Sequence, residues 1–230
     1  MSNKKIIPVN FYEKCKNYEG GKIRSYKNHH LTNLDLEARC ILCGGSGGKK
    51  TNTLINIIKD TAGAFSHYYI YAHNLNQPLY HYLEDNLSDI PDCLTMTEDL
   101  TEIPDDLSDF EKESLIVFDD CQTQNKKTLK KIENIYCNSR SRGLSAVWIG
   151  QSYFKIPQAI RENTDYIFFK RVKSNKALKR MTAEYFEDDE ERERFMNAYH
   201  EMLKNDNNWV LIDCKTNNAK LKIRLNYDPI

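Results

Sequence analysis

The chain has 230 residues, of which 29% are charged and 40% hydrophobic, and its formal net charge is zero. That length suits one large α/β domain, or one domain with appendages, and the balanced charge excludes a globally basic protein while leaving room for local basic clusters that meet nucleic acid. No apolar run is long enough for a transmembrane helix, so no membrane partner is expected, and the seven scattered cysteines read as buried thiols of a reducing compartment.

Residues 1–37 carry Lys4, Lys5, Lys14, Lys16, Lys22, Arg24 and Lys27, with Glu13 and Glu19 the early acids. They read as an N-terminal arm, either a solvated lead-in or an electrostatic contact to another subunit. The stretch Met1 to Pro8 lacks the apolar core of a secretion signal.

The organising stretch follows. Cys40 to Cys43 form a short apolar run, Gly44-Gly45-Ser46-Gly47-Gly48-Lys49-Lys50-Thr51 a glycine-rich turn, and Leu54, Ile55, Ile57 and Ile58 mark a helix behind it. Strand, glycine loop and helix in that order point to phosphate binding. Glycines let backbone N–H groups converge on phosphate oxygens, a lysine reaches the β- and γ-phosphates, a hydroxyl ligates Mg²⁺, and the helix start favours the anion. Two registers compete. With Gly44 as first glycine, Lys50 is the phosphate lysine and Thr51 the metal hydroxyl, but Lys49 stands where glycine is usual. With Gly48-Lys49 as the glycine–lysine pair, Cys43 replaces the first glycine and Lys50 the hydroxyl. The first keeps more of the chemistry and is preferred, which makes Gly44, Gly45, Ser46, Gly47, Gly48, Lys49, Lys50, Thr51 and Asn52 the expected ATP-binding residues. If position 49 needs a positive φ, a lysine there costs about 1–3 kcal/mol. Cys40-x-x-Cys43 has the spacing of half a zinc site. Both cysteines lie on the strand, however, and the nearby His29 and His30 are irregularly spaced, so they read as core.

His67 to Ala72 predict a second strand and Pro78 to Leu87 a short amphipathic helix. The acidic run from Glu98 to Glu113 has sparse apolar residues and reads as a solvated helix or loop, or a face for a basic neighbour. Ser114-Leu115-Ile116-Val117-Phe118-Asp119-Asp120 predicts a buried parallel strand with carboxylates at its C-terminal end, the edge where open α/β sheets bind ligands. Lying roughly 70 residues after a glycine loop, it is a candidate Walker B strand. Asp119 is then the second Mg²⁺ residue, and Asp120 orients or deprotonates the attacking water.

A helix with a basic face follows, carrying Lys126, Lys127, Lys130 and Lys131 with Leu129, Ile132 and Ile135 behind them. Asn138 to Gly143 lead into a buried strand, Leu144 to Ile149, ending at Gln151, an amide placed to sense the γ-phosphate. Ala159 to Arg161 read as a short helix and Tyr166 to Phe169 as a strand. Lys170, Arg171, Lys173, Lys176, Lys179 and Arg180 form a second basic stretch. Glu184 to Lys204 read as one charged helix, with Phe186, Phe195, Tyr199 and Leu203 as its apolar stripe. Trp209 to Cys214 and Leu221 to Leu225 read as an antiparallel hairpin around Asn217-Asn218.

Taken together, the glycine loop, Leu115-Ile116-Val117-Phe118-Asp119-Asp120 and the run from Ser139-Arg140-Ser141-Arg142-Gly143 through Gln151-Ser152-Tyr153 to Ile156-Pro157 resemble the FtsK–HerA superfamily of P-loop ATPases. The likeness is greatest to the genome-packaging ATPases of large DNA viruses and virophages. It covers about residues 38 to 172 and is most specific from Arg140 to Arg161. It implies a RecA-like α/β fold with a mostly parallel central sheet flanked by helices, here followed by the C-terminal β-hairpin. The expected division is 1–37 arm, 38–182 ATPase core, and 183–230 a helix and hairpin continuing the same domain. It further implies ATP and Mg²⁺ as cofactors, a homo-oligomeric ring, double-stranded DNA moved into a capsid, and a capsid or portal-vertex partner, in a virion or viral factory. By position Lys50, Asp120 and Gln151 are the catalytic residues, and Arg140, three before Gly143, is an arginine finger for a neighbouring subunit's ATP, with Arg142 second. The basic stretches are candidates for the DNA-facing lumen. Two other readings stay open: another motor of the superfamily, and a nucleotide-binding assembly subunit whose loop is weakened by Lys49.

Overall fold

A computed structural model describes residues 24–230, so residues 1–23 of the expected arm lie outside the described residues. The remainder of the arm holds one helical turn, α1 (His29–Thr32). The chain then alternates strand and helix: β1 (Arg39–Cys43), α2 (Lys50–Asp60), β2 (Tyr68–Ala72), α3 (Pro78–Leu87), β3 (Leu94–Thr97), β4 (Leu115–Asp119), α4 (Lys126–Asn138), β5 (Ser145–Gly150), α5 (Gln158–Glu162) and β6 (Tyr166–Phe169). It closes with α6 (Asn175–Tyr185), α7 (Asp189–Met202), β7 (Val210–Asp213), α8 (Ala219–Lys222), β8 (Ile223–Leu225) and β9 (Asp228–Pro229).

Among the described residues the strands form one nine-stranded sheet in the order β3-β2-β4-β5-β1-β6-β7-β8-β9. The first six in that order run parallel. The last three continue antiparallel from β6. Both faces are covered, which is why β4 and β5 are buried at every position and carry apolar runs, Leu115 to Phe118 and Ala146 to Ile149, instead of alternating. Along β1 successive side chains take opposite faces. Cys40 and Leu42 pack with Leu54, Ile57 and Ile58 of α2 and Tyr80 and Leu83 of α3. Ile41 and Cys43 pack with Ile132 and Ile135 of α4, Met181 of α6 and Phe195 of α7. Cys40 and Cys43 therefore point away from each other across the sheet and cannot close on one ion.

Three expectations change. Strand β3, Leu-Thr-Met-Thr, is, among the described residues, an edge strand paired with β2 alone and half exposed, so it lacks the apolar run that marks a central strand. The acidic run is neither a helix nor wholly solvated. Two 3₁₀ turns, Leu100–Glu102 and Leu107–Asp109, are capped by the Asp99 and Asp106 carboxylates, and Leu100, Ile103 and Phe110 are buried anchors under the exposed acids. The charged C-terminal helix is two helices. Helix α6 ends at Tyr185, and Asp188 restarts the chain by accepting a 2.7 Å hydrogen bond from the Glu191 amide. Asp189, Glu190 and Glu191 then complement the positive end of α7.

The expected hairpin is the β7–β8 pair, with Leu211 opposite Arg224. Arg224, 1% exposed, bonds Asp213 at 2.7 Å and the carbonyls of Thr32 and Asn33 at 3.1 Å each. A buried guanidinium needs all of these partners; here they fasten the segment before β1 to the last antiparallel strands.

Candidate nucleotide-binding site

The C-terminal ends of β1, β4 and β5 meet along one sheet edge, and the glycine loop lies across it. The Gly44 amide donates to the Gly150 carbonyl at 3.2 Å and the Gly45 amide to the Arg171 carbonyl at 2.8 Å, so the loop is held by the strands on both sides. Glycine is needed at 44 because a Cβ there would sit 2.5 Å from the Lys170 Cβ. The loop turns through left-handed backbone at Gly47 (φ 76°) and again at Lys49 (φ 54°), and α2 begins at Lys50. Lys49 thus adopts the conformation expected of a glycine, in the register that begins at Gly44. The loop keeps its shape at the cost of strain in one non-glycine residue.

Lys50 folds over the loop and donates to the Gly44 and Gly45 carbonyls at 3.0 and 3.1 Å. Burial pulls its ammonium below the usual lysine range, opposed chiefly by Asp119. Next to it on α2, Thr51 donates a weak 3.5 Å hydrogen bond to Oε1 of Gln77. Across the cleft, Asp119 is 8% exposed at the end of β4. The Tyr80 hydroxyl donates to its Oδ2 at 2.6 Å. Burial raises the Asp119 carboxyl, Asp120 adding to the rise while Tyr80 and Lys50 oppose it. Asp120 takes left-handed backbone (φ 56°), which turns its carboxylate towards two amides. Gln151 Nε2 donates to it at 3.2 Å and Gln122 Nε2 at 2.9 Å.

These groups surround a cavity of about 740 Å³ lined by Ser46 to Asn52, Gln77, Asp119, Asp120, Gln151 and Asn207. That is the size range of small-molecule sites, and the start of α2, with no acidic residue in its first turn, faces it. The cavity accordingly combines anion donors, a lysine, a hydroxyl and two carboxylates. No protein-family model and no curated protein matches the sequence. Solved structures do match. The genome packaging NTPase B204 from Sulfolobus turreted icosahedral virus 2, in complex with sulfate, superposes with a TM-score of 0.53 at 15% identity, covering 86% of this chain and 98% of that one. Its complex with AMPPCP gives 0.52 at 15%, covering 84% and 98%. B204 of Sulfolobus turreted icosahedral virus, described as a DNA-packaging ATPase, gives 0.52 at 14%, covering 86% and 100%. The chain has the fold of the viral genome-packaging NTPases. The expected RecA-like P-loop architecture is therefore observed, and so is the resemblance to packaging ATPases; B204 has also been solved with AMP.

Within this fold the sequence-predicted residues separate. Ser46 to Asn52, Asp119, Asp120 and Gln151 share the cavity. Gly44 lies buried beneath the loop, and Gly45 opens onto a smaller adjoining hollow of about 310 Å³. Arg140 is elsewhere. It sits with Arg142 in an exposed 3₁₀ turn, Ser139–Arg142, that precedes β5, whereas Gln151 follows β5. About 20 Å of strand separates that turn from its own chain's cavity, at ~3.3 Å per residue.

Four groups have no motif in the sequence: Gln77 and Asn207 in the cavity wall, and Tyr80 and Gln122, which bond Asp119 and Asp120. Gln77 is readable only as the residue before a helix-opening proline, and Gln122 only as a neighbour of Asp120; Tyr80 and Asn207 depend on contacts distant in the chain. The basic stretches also need correcting. Lys170 is 1% exposed, and burial pulls its ammonium down to about 8. Lys131 is held by Asp105 at 2.8 Å and by the Ile103 carbonyl. Neither is a free surface charge. Lys126, Lys127 and Lys130 on α4, and Lys176 and Lys179 on α6, remain exposed, and both helices pack on the same face of the sheet.

Proposed function

We propose that the chain is an ATP hydrolase that drives double-stranded DNA into a viral capsid as part of a homo-oligomeric ring. One observation carries this reading: the glycine loop with Lys50 and Thr51, the acidic strand end Asp119–Asp120, and Gln151 meet at one cavity, on the fold of a viral genome-packaging NTPase. Residues Ser46 to Asn52 cradle the triphosphate with loop amides and the start of α2, and Gly44 and Gly45 give the loop the shape that lets them do so. Lys50 leaves the Gly44 and Gly45 carbonyls for the β- and γ-phosphates. Asp120 takes the proton of the attacking water. Gln151, which bonds Asp120, exchanges that bond for the γ-phosphate. The oxygen donors Thr51 and Asp119 fit Mg²⁺, a hard ion that takes oxygen ligands; Tyr80 engages Oδ2 of Asp119 and leaves Oδ1 for the ion or its water. Bound there, Mg²⁺ supplies charge neutralisation at the β- and γ-phosphate oxygens.

Arg140, with Arg142 as second choice, serves a neighbouring subunit's cavity, a role supported by its distance from its own. The outward lysines of α4 and α6 contact DNA phosphates. Such contacts carry no base code, as a motor for any sequence requires, and a ring repeats them in each subunit. A capsid or portal-vertex protein is the assembly partner, in a virion or viral factory. Among the described residues no helix is long and apolar enough to cross a membrane.

The test is the steady-state ATPase rate across a protein concentration series, with and without double-stranded DNA. The rate per subunit should rise with both, and Lys50→Ala should lose on the order of 10²–10³-fold. Absence of turnover in the unaltered chain under every condition would replace the motor with a nucleotide-binding assembly subunit.

A further inference from the structure

The cavity has two ends with different chemistry. Asp119, Asp120 and Gln151 stand on the β4–β5 side of the loop, and Gln77 and Tyr80 join them through their bonds to Thr51 and Asp119. On the other side, beyond β6, the wall is the turn between α7 and β7, and Asn207 is its contribution to the cavity.

This turn is held firmly. Lys170 at the end of β6 donates to the Asp206 and Asn208 carbonyls, at 2.6 Å each, so a buried ammonium grips the backbone on both sides of Asn207. Asn205 closes the turn by accepting from the Asn207 amide at 3.0 Å and the Asn208 amide at 2.9 Å. Across the cavity mouth, Lys49 Nζ donates to Asn207 Oδ1 at 3.2 Å. An ammonium only donates, so the amide oxygen must face Lys49, which leaves the Asn207 Nδ2 protons for another acceptor. No described residue takes them. Lys49 itself stands in left-handed backbone, where a lysine carries strain that glycine does not. A strained lysine and an asparagine on a firmly held turn, both exposed at the cavity mouth, thus converge on the end of the cavity that the hydrolytic groups leave free.

We propose that Lys49 and Asn207 form the nucleoside-end subsite: the Lys49 ammonium carries the α-phosphate, and the Asn207 amide nitrogen donates to a ribose oxygen or ring nitrogen of the nucleoside. This rests on reading the cavity as an ATP site. With the terminal phosphate at Asp120 and Gln151, the phosphate chain runs over the loop amides and Lys50, and the nucleoside leaves on the Asn207 side. Lys49 is then a second phosphate cation that turns towards the ligand as nucleotide enters.

Calorimetric titration of the full chain with ATP, AMP and inorganic tripolyphosphate tests this. Asn207→Ala should weaken ATP and AMP about tenfold, one lost hydrogen bond to the ligand, and leave tripolyphosphate within about twofold. Asn207→Asp keeps an acceptor for Lys49 but has no donor, so it should weaken AMP as much as alanine does. Lys49→Gly should weaken AMP at least about fivefold although it relaxes the loop. AMP binding unchanged in Asn207→Ala, restored in Asn207→Asp, or unchanged or tighter in Lys49→Gly would overturn the subsite. So would an equal loss for tripolyphosphate in Asn207→Ala, the mark of general loop damage. If the unaltered chain binds neither ATP nor tripolyphosphate, the ATP-site reading itself falls, and the subsite with it.

Discussion

Tyr80 and Lys170 show how single side chains determine this site from outside its motifs. Tyr80 is wholly buried and gives its only proton to a carboxylate. Tyr80→Phe keeps the ring but leaves the Asp119 carboxylate without that donor, so it should lower the unfolding free energy by about 1–3 kcal/mol in a denaturant titration. Lys170 gives a prediction in pH. Its folded-state ammonium lies at about 8 against an ordinary 10.5, so between those values the unfolded chain holds a proton that the folded chain has released. Stability attributable to Lys170 is lowest below about 8 and rises towards 10.5, by at most about 1.4 kcal/mol per pH unit. Unfolding of the unaltered chain and Lys170→Met, compared across that window, should show their difference moving in favour of lysine; a flat difference would contradict it. Neither residue advertised itself in the sequence. Lys170 sat in a run of surface-like charges, and the partner of Tyr80 lies 39 positions away.

At the level of elements, the sequence was legible where an element carries its own pattern. Strands β1, β4, β5 and β6 are covered on both faces and read as apolar runs, and α3 was bounded correctly because Pro78 opens it. The glycine loop and the acidic strand end were readable because an apolar run, a glycine turn and a helical pattern, and an apolar run closed by two acids, each carry their signal within a few consecutive residues. Strand β3 was not, because an edge strand needs no apolar face of its own. The α6–α7 break was hidden because Phe186 continues the apolar stripe, while the interruption is made by the Asp188 cap. The exposed lysines of α6 give a prediction at this scale. Lys176→Glu with Lys179→Glu should weaken DNA stimulation of the ATPase and flatten its salt dependence, with nucleotide affinity unchanged. An unaltered salt slope would remove α6 from the DNA-facing surface.

At the scale of the whole molecule, Arg140 and the cavity lie at opposite edges of one sheet, so the proposed reaction centre is completed only between copies. Arg140→Ala should lower turnover on the order of 10³–10⁵-fold at ring-forming concentrations. Mixing Arg140→Ala with Lys50→Ala should recover activity, because an interface then exists with an intact loop on one side and an intact arginine on the other. A mixture as inactive as its components would place Arg140 outside the reaction.

The buried Arg224 has a mechanical consequence. It clamps the carbonyls of Thr32 and Asn33 to the antiparallel pair β7 and β8. A pull on the segment before β1 is therefore shared with β7 and β8 and does not peel that segment away alone. In the proposed motor, the recoil from the DNA would pass through this attachment. Breaking the clamp with Arg224→Met should let that segment yield at lower force in a single-molecule stretching experiment, while the cavity, at the other end of β7 from Asp213, keeps its affinity for nucleotide.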